Sequence, residues 1–224
     1  MNKYGSIKNL HPLDPATDYK RYDRTLYSHP EFKMLQDIQW EMTEKIDGTN
    51  IRVIRDYYED YPGSEIMRHK LKFLARTDKG QVPAFMLDRL VELFTLDAFA
   101  MAFDDDSPVC LYGEGFGARI GKGGGKYKSD GVDFALFDVK VGDLWLRRED
   151  VADIAENMGL QLVPTFGNAP LVIAEKIVSR GYGSCIPGAD CRAEGLVLRP
   201  VEELFDRRGN RVIAKLKTEY YWGK

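Results

Sequence analysis

The chain has 224 residues, enough for one large domain or two small ones. With 30% charged and 44% hydrophobic residues it has the composition of a globular protein, and a net charge of only −3 excludes a protein that coats nucleic acid through a large positive surplus. Charged residues interrupt every long apolar stretch, and the first residues lack the apolar segment of a signal peptide, so we expect neither a membrane span nor a leader. Three cysteines and three histidines without metal-ligand spacing predict no disulfide framework and no zinc site, and they favour a reducing compartment, the cytoplasm.

The first predicted elements are strands. Two β-rich runs, Trp40–Ile46 and Ile51–Tyr58, flank the Asp47-Gly48 dipeptide, which is typical of hairpin turns. A third strand is predicted over Leu71–Ala75. Pro83 then begins a helix whose apolar residues recur at spacings of three and four. The first half of the chain therefore predicts a hairpin, a strand and a helix.

The second half mixes short strands with two helices. Val109–Tyr112 predicts a strand that runs into a glycine-rich loop, Gly113–Gly125. The elements predicted after it are the hairpin Phe134–Val139 with Leu144–Leu146, the helices Glu149–Met158 and Leu171–Arg180, and the strands Gly195–Arg199 and Val212–Leu216. This order favours an α+β fold of antiparallel sheets with flanking helices, in a single domain over residues 1–224, rather than a doubly wound parallel sheet.

The glycine-rich segment does not fit the two common phosphate-binding motifs. Gly113–Ala118 matches the letters of a dinucleotide-binding fingerprint, but that motif needs a helix to begin there, and the glycines that follow oppose one. The Gly-Lys pairs at 121–122 and 125–126 lack the glycine that a P-loop carries five residues earlier. Both of these nucleotide-binding classes are therefore excluded.

Lys45 is the candidate nucleophile. A lysine at the end of a strand, two residues before a tight Asp-Gly turn, projects from a rigid frame, and burial or neighbouring cations can favour its neutral, nucleophilic form. Taken by itself, the segment favours the alternative, a hairpin that carries a solvated lysine beside its turn. The rest of the chain decides between these interpretations.

Six segments, in order, resemble the motifs of the covalent nucleotidyltransferase superfamily, which includes ATP-dependent DNA and RNA ligases and GTP-dependent capping enzymes. They run from residue 43 to residue 217, and the resemblance is strongest to a minimal RNA ligase domain of phage or bacterial type. The six segments are Glu44–Asn50 with the sequence EKIDGTN, Leu74–Thr77, Leu111–Gly115, Phe134–Val139, Ala193–Arg199 and Ala214–Lys217. The resemblance implies an ATP-grasp-like nucleotidyltransferase (adenylation) domain of the ligase and capping-enzyme type.

The resemblance also implies a reaction. Lys45 would attack the α-phosphorus of ATP, expel pyrophosphate and become a lysyl–AMP phosphoramidate. Lys215 and Lys217 would stabilise the charge that the transition state gathers, since residues two apart on a strand lie on one face. Glu194 and Glu114 would hold Mg²⁺ or Mn²⁺, an ion that keeps its waters and takes few protein ligands. Either glutamate can instead be a surface ion-pair partner, and Glu114 can contact the ribose.

The remaining motif positions would bind the nucleotide or the incoming strand. Phe137 would stack on adenine, on the opposite face of its strand from Phe134. Glu44, through its carboxylate or a nearby carbonyl, would accept from the adenine amino group, with Ile46 beside it. Arg76 would contact the sugar or the phosphate of the incoming strand. Asn50 stands where DNA ligases usually carry arginine, which favours an RNA ligase.

Two basic segments are open to two interpretations. The loop that carries Arg119, Lys122, Lys126 and Lys128 with Tyr127 would track phosphates or would be a solvated loop. Relatives carry an OB-fold or helical module after the last motif, and only seven residues follow Lys217 here, so we expect neither module. The segment up to Gln39, which carries Lys20, Arg21 and Arg24, would partly replace it.

The expected activity is therefore an ATP-dependent RNA ligase that joins 5′-phosphate and 3′-hydroxyl ends, nicked or single-stranded, through enzyme–AMP and RNA-adenylate. The alternatives are a DNA ligase or a GTP-dependent capping domain, and a non-catalytic relative that binds nucleotide or RNA ends. We expect a monomer without an obligatory protein partner, in the cytoplasm of a bacterial or phage-infected cell.

Overall fold

The computed structural model of the chain describes residues 3–59, 67–103, 107–121 and 123–222. They form two compact units, and each unit draws on separate stretches of the sequence. The first unit contains the residues up to Tyr4 and Gly48–Leu162, and the second contains Gly5–Asp47 and the chain from Val163 onward. Because the units are interleaved in sequence, no single cut divides the chain between them, and a single functional domain over residues 1–224 remains a prediction.

The first unit is built on a six-stranded sheet with the strand order β4-β3-β5-β6-β7, beside which β8 pairs with β6. The strands are β3 (Thr49–Glu59), β4 (Met67–Ala75), β5 (Val109–Gly117), β6 (Val132–Val141), β7 (Leu144–Trp145) and β8 (Gln161–Leu162). All pairs are antiparallel except that of β6 with β8. One face packs on the helices α2 (Ala84–Leu93), α3 (Leu96–Ala102) and α4 (Arg148–Asn157). The other face carries a smaller buried cluster of Ile54, Cys110 and Tyr112.

The second unit is built on a five-stranded sheet with the order β1-β11-β10-β2-β9. Its strands are β1 (Lys8–Asn9), β2 (Trp40–Lys45), β9 (Thr165–Ala169), β10 (Gly195–Pro200) and β11 (Ala214–Lys217). The α-helices that the described residues form in this unit are α1 (Pro30–Met34), α5 (Leu171–Arg180) and α6 (Glu219–Trp222). The apolar face of the sheet packs on α5, with Trp40, Leu196 and Leu216 fully buried at the contact. The opposite face of β2, β10 and β11 carries mostly polar side chains, such as Thr43, Arg199 and Lys215.

The predicted fold class and most predicted elements are confirmed, and three local predictions are wrong. The Asp47-Gly48 dipeptide does not close a hairpin, because β2 pairs with β9 and β10 while β3 pairs with β4 and β5. The glycine-rich loop begins later than expected, since β5 continues through Gly117. The helix after Pro83 is two helices, because Phe94 and Thr95 take extended backbone and Thr95 caps α3. Among the described residues, no helix is long and apolar enough to cross a membrane.

Candidate active site

Three neighbouring strands of the second unit bring two of the predicted lysines into one row. In the sheet register, Gly195 on β10 lies directly opposite both Lys45 on β2 and Lys217 on β11. A side chain cannot occupy the middle of this row. The φ angle of Gly195 is +154°, and a β-carbon there would lie 1.9 Å from the carbonyl oxygen of Leu216. The two lysines therefore flank a gap that only glycine can leave open.

The carboxylate of Glu194, the residue before that glycine, joins the two lysines. Its Oε2 atom lies 2.5 Å from the Lys45 ammonium and its Oε1 atom lies 2.7 Å from the Lys217 ammonium. All three side chains are largely buried, with exposed fractions of 22%, 14% and 22% for Lys45, Glu194 and Lys217. Burial by itself lowers the pKa of Lys217, but the hydrogen bond and the charge of Glu194, with Glu219 and Tyr220, outweigh it and raise the pKa. Lys217 is therefore a fixed cation at neutral pH.

The backbone around Glu194 is held by side chains of the same unit. The Tyr182 hydroxyl donates to the carbonyl of Gly195 at 2.6 Å, and the Thr218 hydroxyl donates to the carbonyl of Ala193 at 3.2 Å. The Thr218 N–H donates to the carbonyl of Glu194 at 2.8 Å. These bonds fix the backbone on both sides of the shared carboxylate, so that the carboxylate is presented by a rigid frame.

Lys215 and Lys217 lie on one face of β11, as predicted. Ala214 and Leu216 are fully buried in the core, whereas the two lysines are half-buried on the opposite face. Lys215 is opposite Val197 on β10, one row along from Lys217. The N-terminal segment supports this strand, because the Tyr22 hydroxyl accepts a hydrogen bond of 3.0 Å from the Lys217 N–H. Tyr22 is almost fully buried, and desolvation raises its pKa well above the ordinary tyrosine value.

Glu44 points away from this cluster. It follows the alternation of β2, so its side chain lies on the same face as the core residue Met42 and on the opposite face from Lys45. Its carboxylate accepts from the Ser184 hydroxyl at 2.6 Å and from the Cys185 N–H at 2.8 Å. Desolvation raises its pKa, and these two hydrogen bonds offset only part of the effect. Both carboxylate oxygens therefore hold a loop of the chain itself, and a role for Glu44 in binding adenine remains a prediction, as does the role of the adjacent, buried Ile46.

In the first unit, β3 and β5 place Asn50 directly opposite Glu114. Both belong to the face of the sheet that lies away from the helices, since Ile51 and Leu111 of the same strands are buried against the helices. The side-chain oxygen of Asn50 is buried and has no hydrogen-bond partner among the described residues. Gly48 lies so close to β5 that a β-carbon would be 2.3 Å from the carbonyl oxygen of Gly115. The Asp-Gly dipeptide therefore serves close backbone packing rather than a hairpin.

Phe137 lies on the same face as Asn50 and Glu114. The pairing of β5 with β6 shifts by one residue between Tyr112 and Gly113, and this bulge places Phe137 opposite neither of them. Phe137 is half-buried and packs edge-on against the ring of Tyr4, with 5.0 Å between ring centroids. Phe134 is fully buried in the core on the other face, as the odd spacing predicts.

Arg76 is exposed directly after the last residue of β4. The turn that carries it is anchored by Arg52, whose buried guanidinium donates to the carbonyl of Ala75 at 3.1 Å and to Asp78 at 2.7 Å. Arg52 thus fixes the backbone on both sides of Arg76. Its hydrogen bond lowers the pKa of Asp78, which stays ionised.

The predicted metal ligands fit a hydrated ion better than a protein-enclosed one. Among the described residues, no group of three or more histidine, cysteine or acidic side chains comes together. Glu194 offers one carboxylate beside two cations, and Glu114 offers one carboxylate on a different sheet. Mg²⁺ keeps several of its waters and is often bound through one or two carboxylates plus substrate phosphates. Each of these carboxylates, taken by itself, therefore fits such an ion when phosphate accompanies it.

Several side chains of the basic loop after β5 contact other residues of the first unit. Tyr127 is buried against Phe116 and is not exposed for stacking on a base. Arg119 has a φ angle of +66° and places its guanidinium 4.7 Å from the centre of the Phe85 ring. Lys128 is paired with Asp133 at 3.1 Å. Lys122 lies outside the described residues.

Residues 38–217 of the chain match the model of the RNA ligase family. The chain belongs to this family. The match includes every member of the lysine–glutamate cluster and every predicted site residue of the first unit. A search of curated protein sequences gives no match.

The fold of this RNA ligase family member is also that of solved ligases. It is similar to the Naegleria gruberi RNA ligase with PPi, at a TM-score of 0.63 and 18% identity, covering 99% of this chain and 58% of that one. A lysine-to-alanine variant of that ligase, with ATP and Mn, gives a TM-score of 0.63 at 19% identity, covering 96% and 60%. A lysine-to-methionine variant with AMP and Mn gives 0.59 at 17% identity, covering 96% and 60%. At these identities the likeness establishes the fold, and the chain spans about three fifths of those solved chains.

Several residues that position the site had no motif to reveal them. Tyr22, Arg52, Tyr182 and Ser184 each act through a hydrogen bond to a site residue or to backbone beside one, and the partners are distant in sequence. Thr218, which follows the last motif directly, was the one such residue that its place in the sequence could have suggested.

Proposed function

We propose that this chain is an ATP-dependent RNA ligase that joins 5′-phosphate and 3′-hydroxyl ends through a lysyl–AMP enzyme and an RNA-adenylate. The observation that carries the proposal is the carboxylate of Glu194 shared between Lys45 and Lys217, inside a segment that matches the RNA ligase family. The similar Naegleria gruberi ligase was solved with PPi, with ATP and Mn, and with AMP and Mn, which supports ATP and a divalent metal as cofactors.

In the first step, the Lys45 amine attacks the α-phosphorus of ATP. A nitrogen–phosphorus bond forms, the bond from the α-phosphorus to the bridging oxygen breaks, and pyrophosphate leaves. The Lys45 amine must be neutral to attack, and the Glu194 oxygen 2.5 Å away is placed to accept its proton. Lys217, held cationic, and Lys215 on the same face of β11 would stabilise the negative charge of the transition state.

A divalent metal at Glu194 would screen the charge of the triphosphate. The other residues would bind and orient the substrates. Asn50 has a buried side-chain oxygen that would accept a hydrogen bond from a hydroxyl or amino group of the nucleotide, and Glu114 lies directly opposite Asn50. Phe137 would stack on the base. In the second step, the 5′-phosphate of RNA attacks the AMP phosphorus, the bond to Lys45 breaks, and RNA-adenylate forms. In the third step, the 3′-hydroxyl of the other RNA end attacks the 5′-phosphate, AMP leaves, and the phosphodiester bond forms.

A DNA ligase or a capping domain is the second candidate, since it would use the same lysine chemistry. The match to the RNA ligase family and Asn50, which replaces the arginine usual in DNA ligases, favour RNA. We also propose that the protein is a monomer and that it acts in a cytoplasm, since three cysteines without disulfide or metal-ligand spacing are typical of a reducing compartment.

Labelling by α-phosphate-labelled nucleotide tests the proposal. After pyrophosphate treatment to remove any resident AMP, the protein is incubated with magnesium and labelled ATP or GTP and separated on a denaturing gel. We expect covalent label from ATP, retained by Lys33→Ala, an exposed lysine on α1, and lost in Lys45→Ala. Label from GTP alone would assign a capping enzyme, and no label would exclude the reaction. Sealing of 5′-phosphorylated RNA but not DNA ends would then establish the substrate.

A further inference from the structure

We propose that β4 is a binding track for the backbone of the RNA strand that is being joined, formed by Arg68, Lys70 and Lys72. This inference rests on the proposed function, and it assigns a substrate contact to a surface outside the ligase motifs. The three cations alternate along one strand, so they share a face of the sheet. Their spacing advances about 7 Å per cation, a step comparable to one nucleotide of an extended single strand.

The face that carries these cations is the one that carries the candidate site. The register pairs Lys72 with Ile54, and Ile54 belongs to the buried cluster on the same face as Asn50, Glu114 and Phe137. Leu74, the next residue of the alternation, packs on that cluster. Arg76 follows the last residue of β4, and the sequence predicts that Arg76 contacts the incoming RNA. The track therefore leads from the outer part of β4 directly to the strand end at which the first unit presents its site residues.

The surface has the composition of a sequence-independent RNA contact. Arg68 and Lys70 are exposed, and the Lys70 ammonium lies 4.8 Å from the centre of the exposed Tyr58 ring, so that a cation and an aromatic side chain are presented together. Lys72 is paired with Asp56, and this hydrogen bond lowers the pKa of Asp56. Arg68 and Lys70 are the exposed cations of the track, and they are the two that the test removes. β4 is also an edge strand among the described strands of its sheet, and none of these lies beside it on the outer side.

The test measures binding of a fluorescent single-stranded RNA by anisotropy over a series of salt concentrations. We expect the double variant Arg68→Ala/Lys70→Ala to bind about tenfold more weakly at low salt, with the slope of log K against log salt reduced by roughly 1.4, which is 0.7 for each cation. The control Lys33→Ala/Arg147→Ala removes two exposed cations from α1 and the start of α4 and should leave both quantities unchanged. Unchanged affinity and slope in the first variant would overturn the proposal.

Two further measurements separate this proposal from folding and from the proposed function. The charge-preserving variant Arg68→Lys/Lys70→Arg should keep the affinity and slope of the original protein, and a loss there would show that charge is not the cause. Lysyl–AMP formation with ATP should be equal in all variants, because the track contacts RNA only. If the original protein itself takes no label, the ligase function fails, while the binding comparison still decides whether β4 contacts RNA.

Discussion

Lys45 and Lys217 bind opposite oxygens of a single carboxylate, at 2.5 and 2.7 Å from Glu194, and lie on either side of Gly195 in one row of the sheet. Two ammonium groups this close to each other repel, and the negative charge of Glu194 between them offsets that repulsion. The arrangement gives Glu194 two roles before any substrate arrives: it offsets part of the positive charge of the pair and it fixes both ammonium groups in place.

Replacing Glu194 by glutamine is expected to lower the rate of lysyl–AMP formation by a factor of about 10²–10³, because it removes the proton acceptor of Lys45 and the fixed charge beside Lys217. The measurement is the initial rate of labelling with ATP. Glu219→Gln is the matched control, since the Glu219 carboxylate is farther from the Lys217 ammonium, at 3.4 Å, and is expected to cost much less. Equal losses in the two variants would contradict a specific role for Glu194.

Tyr22→Phe is expected to slow the labelling reaction several-fold while costing only about 1 kcal/mol of the free energy of unfolding, the usual net value of one hydrogen bond. The Tyr22 hydroxyl accepts from the backbone of Lys217, so its loss loosens the strand that presents that lysine. Tyr27→Phe removes a comparable hydroxyl that donates to Gln36 at 3.0 Å, away from the lysines. A labelling rate that falls equally in both variants would indicate a general effect on folding.

Glu44 is expected to make stability depend on pH. Burial raises its pKa above the ordinary value of 4.5, so the folded protein binds this proton more tightly than the unfolded chain does. Its contribution to stability is therefore fully present below pH 4.5 and is lost as the pH rises through the raised pKa. Glu44→Gln removes this dependence. The free energy of unfolding of the original protein, minus that of the variant, should decline over that window and then stay level.

Urea unfolding at a series of pH values measures that difference. Ser184→Ala provides a second check, since it removes a hydrogen bond that lowers the pKa of Glu44 and should extend the decline to higher pH. A difference that is constant at every pH would exclude the titration of Glu44 as its source.

Variants of Arg52 and Arg76 are expected to affect different properties: the first the free energy of unfolding, the second the sealing of RNA. Arg52→Lys loses the forked geometry that binds the Ala75 carbonyl and Asp78 together, and it leaves a buried site unsatisfied, at a cost of about 1–3 kcal/mol in the free energy of unfolding. Arg76→Ala should leave thermal stability nearly unchanged and reduce RNA sealing, because Arg76 is exposed at the strand end. Thermal melts and sealing assays check the pair. A stability loss in Arg76→Ala as large as that in Arg52→Lys would contradict the assignment.

The sequence by itself predicted the chemistry that we propose for this protein, since the residues proposed to carry it stand in short motifs whose order and spacing are visible along the chain. It also determined which strand residues share a face, as Lys215 with Lys217 and Phe137 against Phe134 illustrate, because alternation along a strand is a local property. Only the tertiary structure decided which strands pair. Asp47-Gly48 has a strong local preference for a hairpin, yet β2 takes β9 and β10 as neighbours, more than a hundred residues away, because those ladders bury the core of the second unit. For the same reason the sequence did not reveal Tyr22, Arg52 and Ser184: each supports the site through hydrogen bonds to residues or backbone groups that only folding brings near.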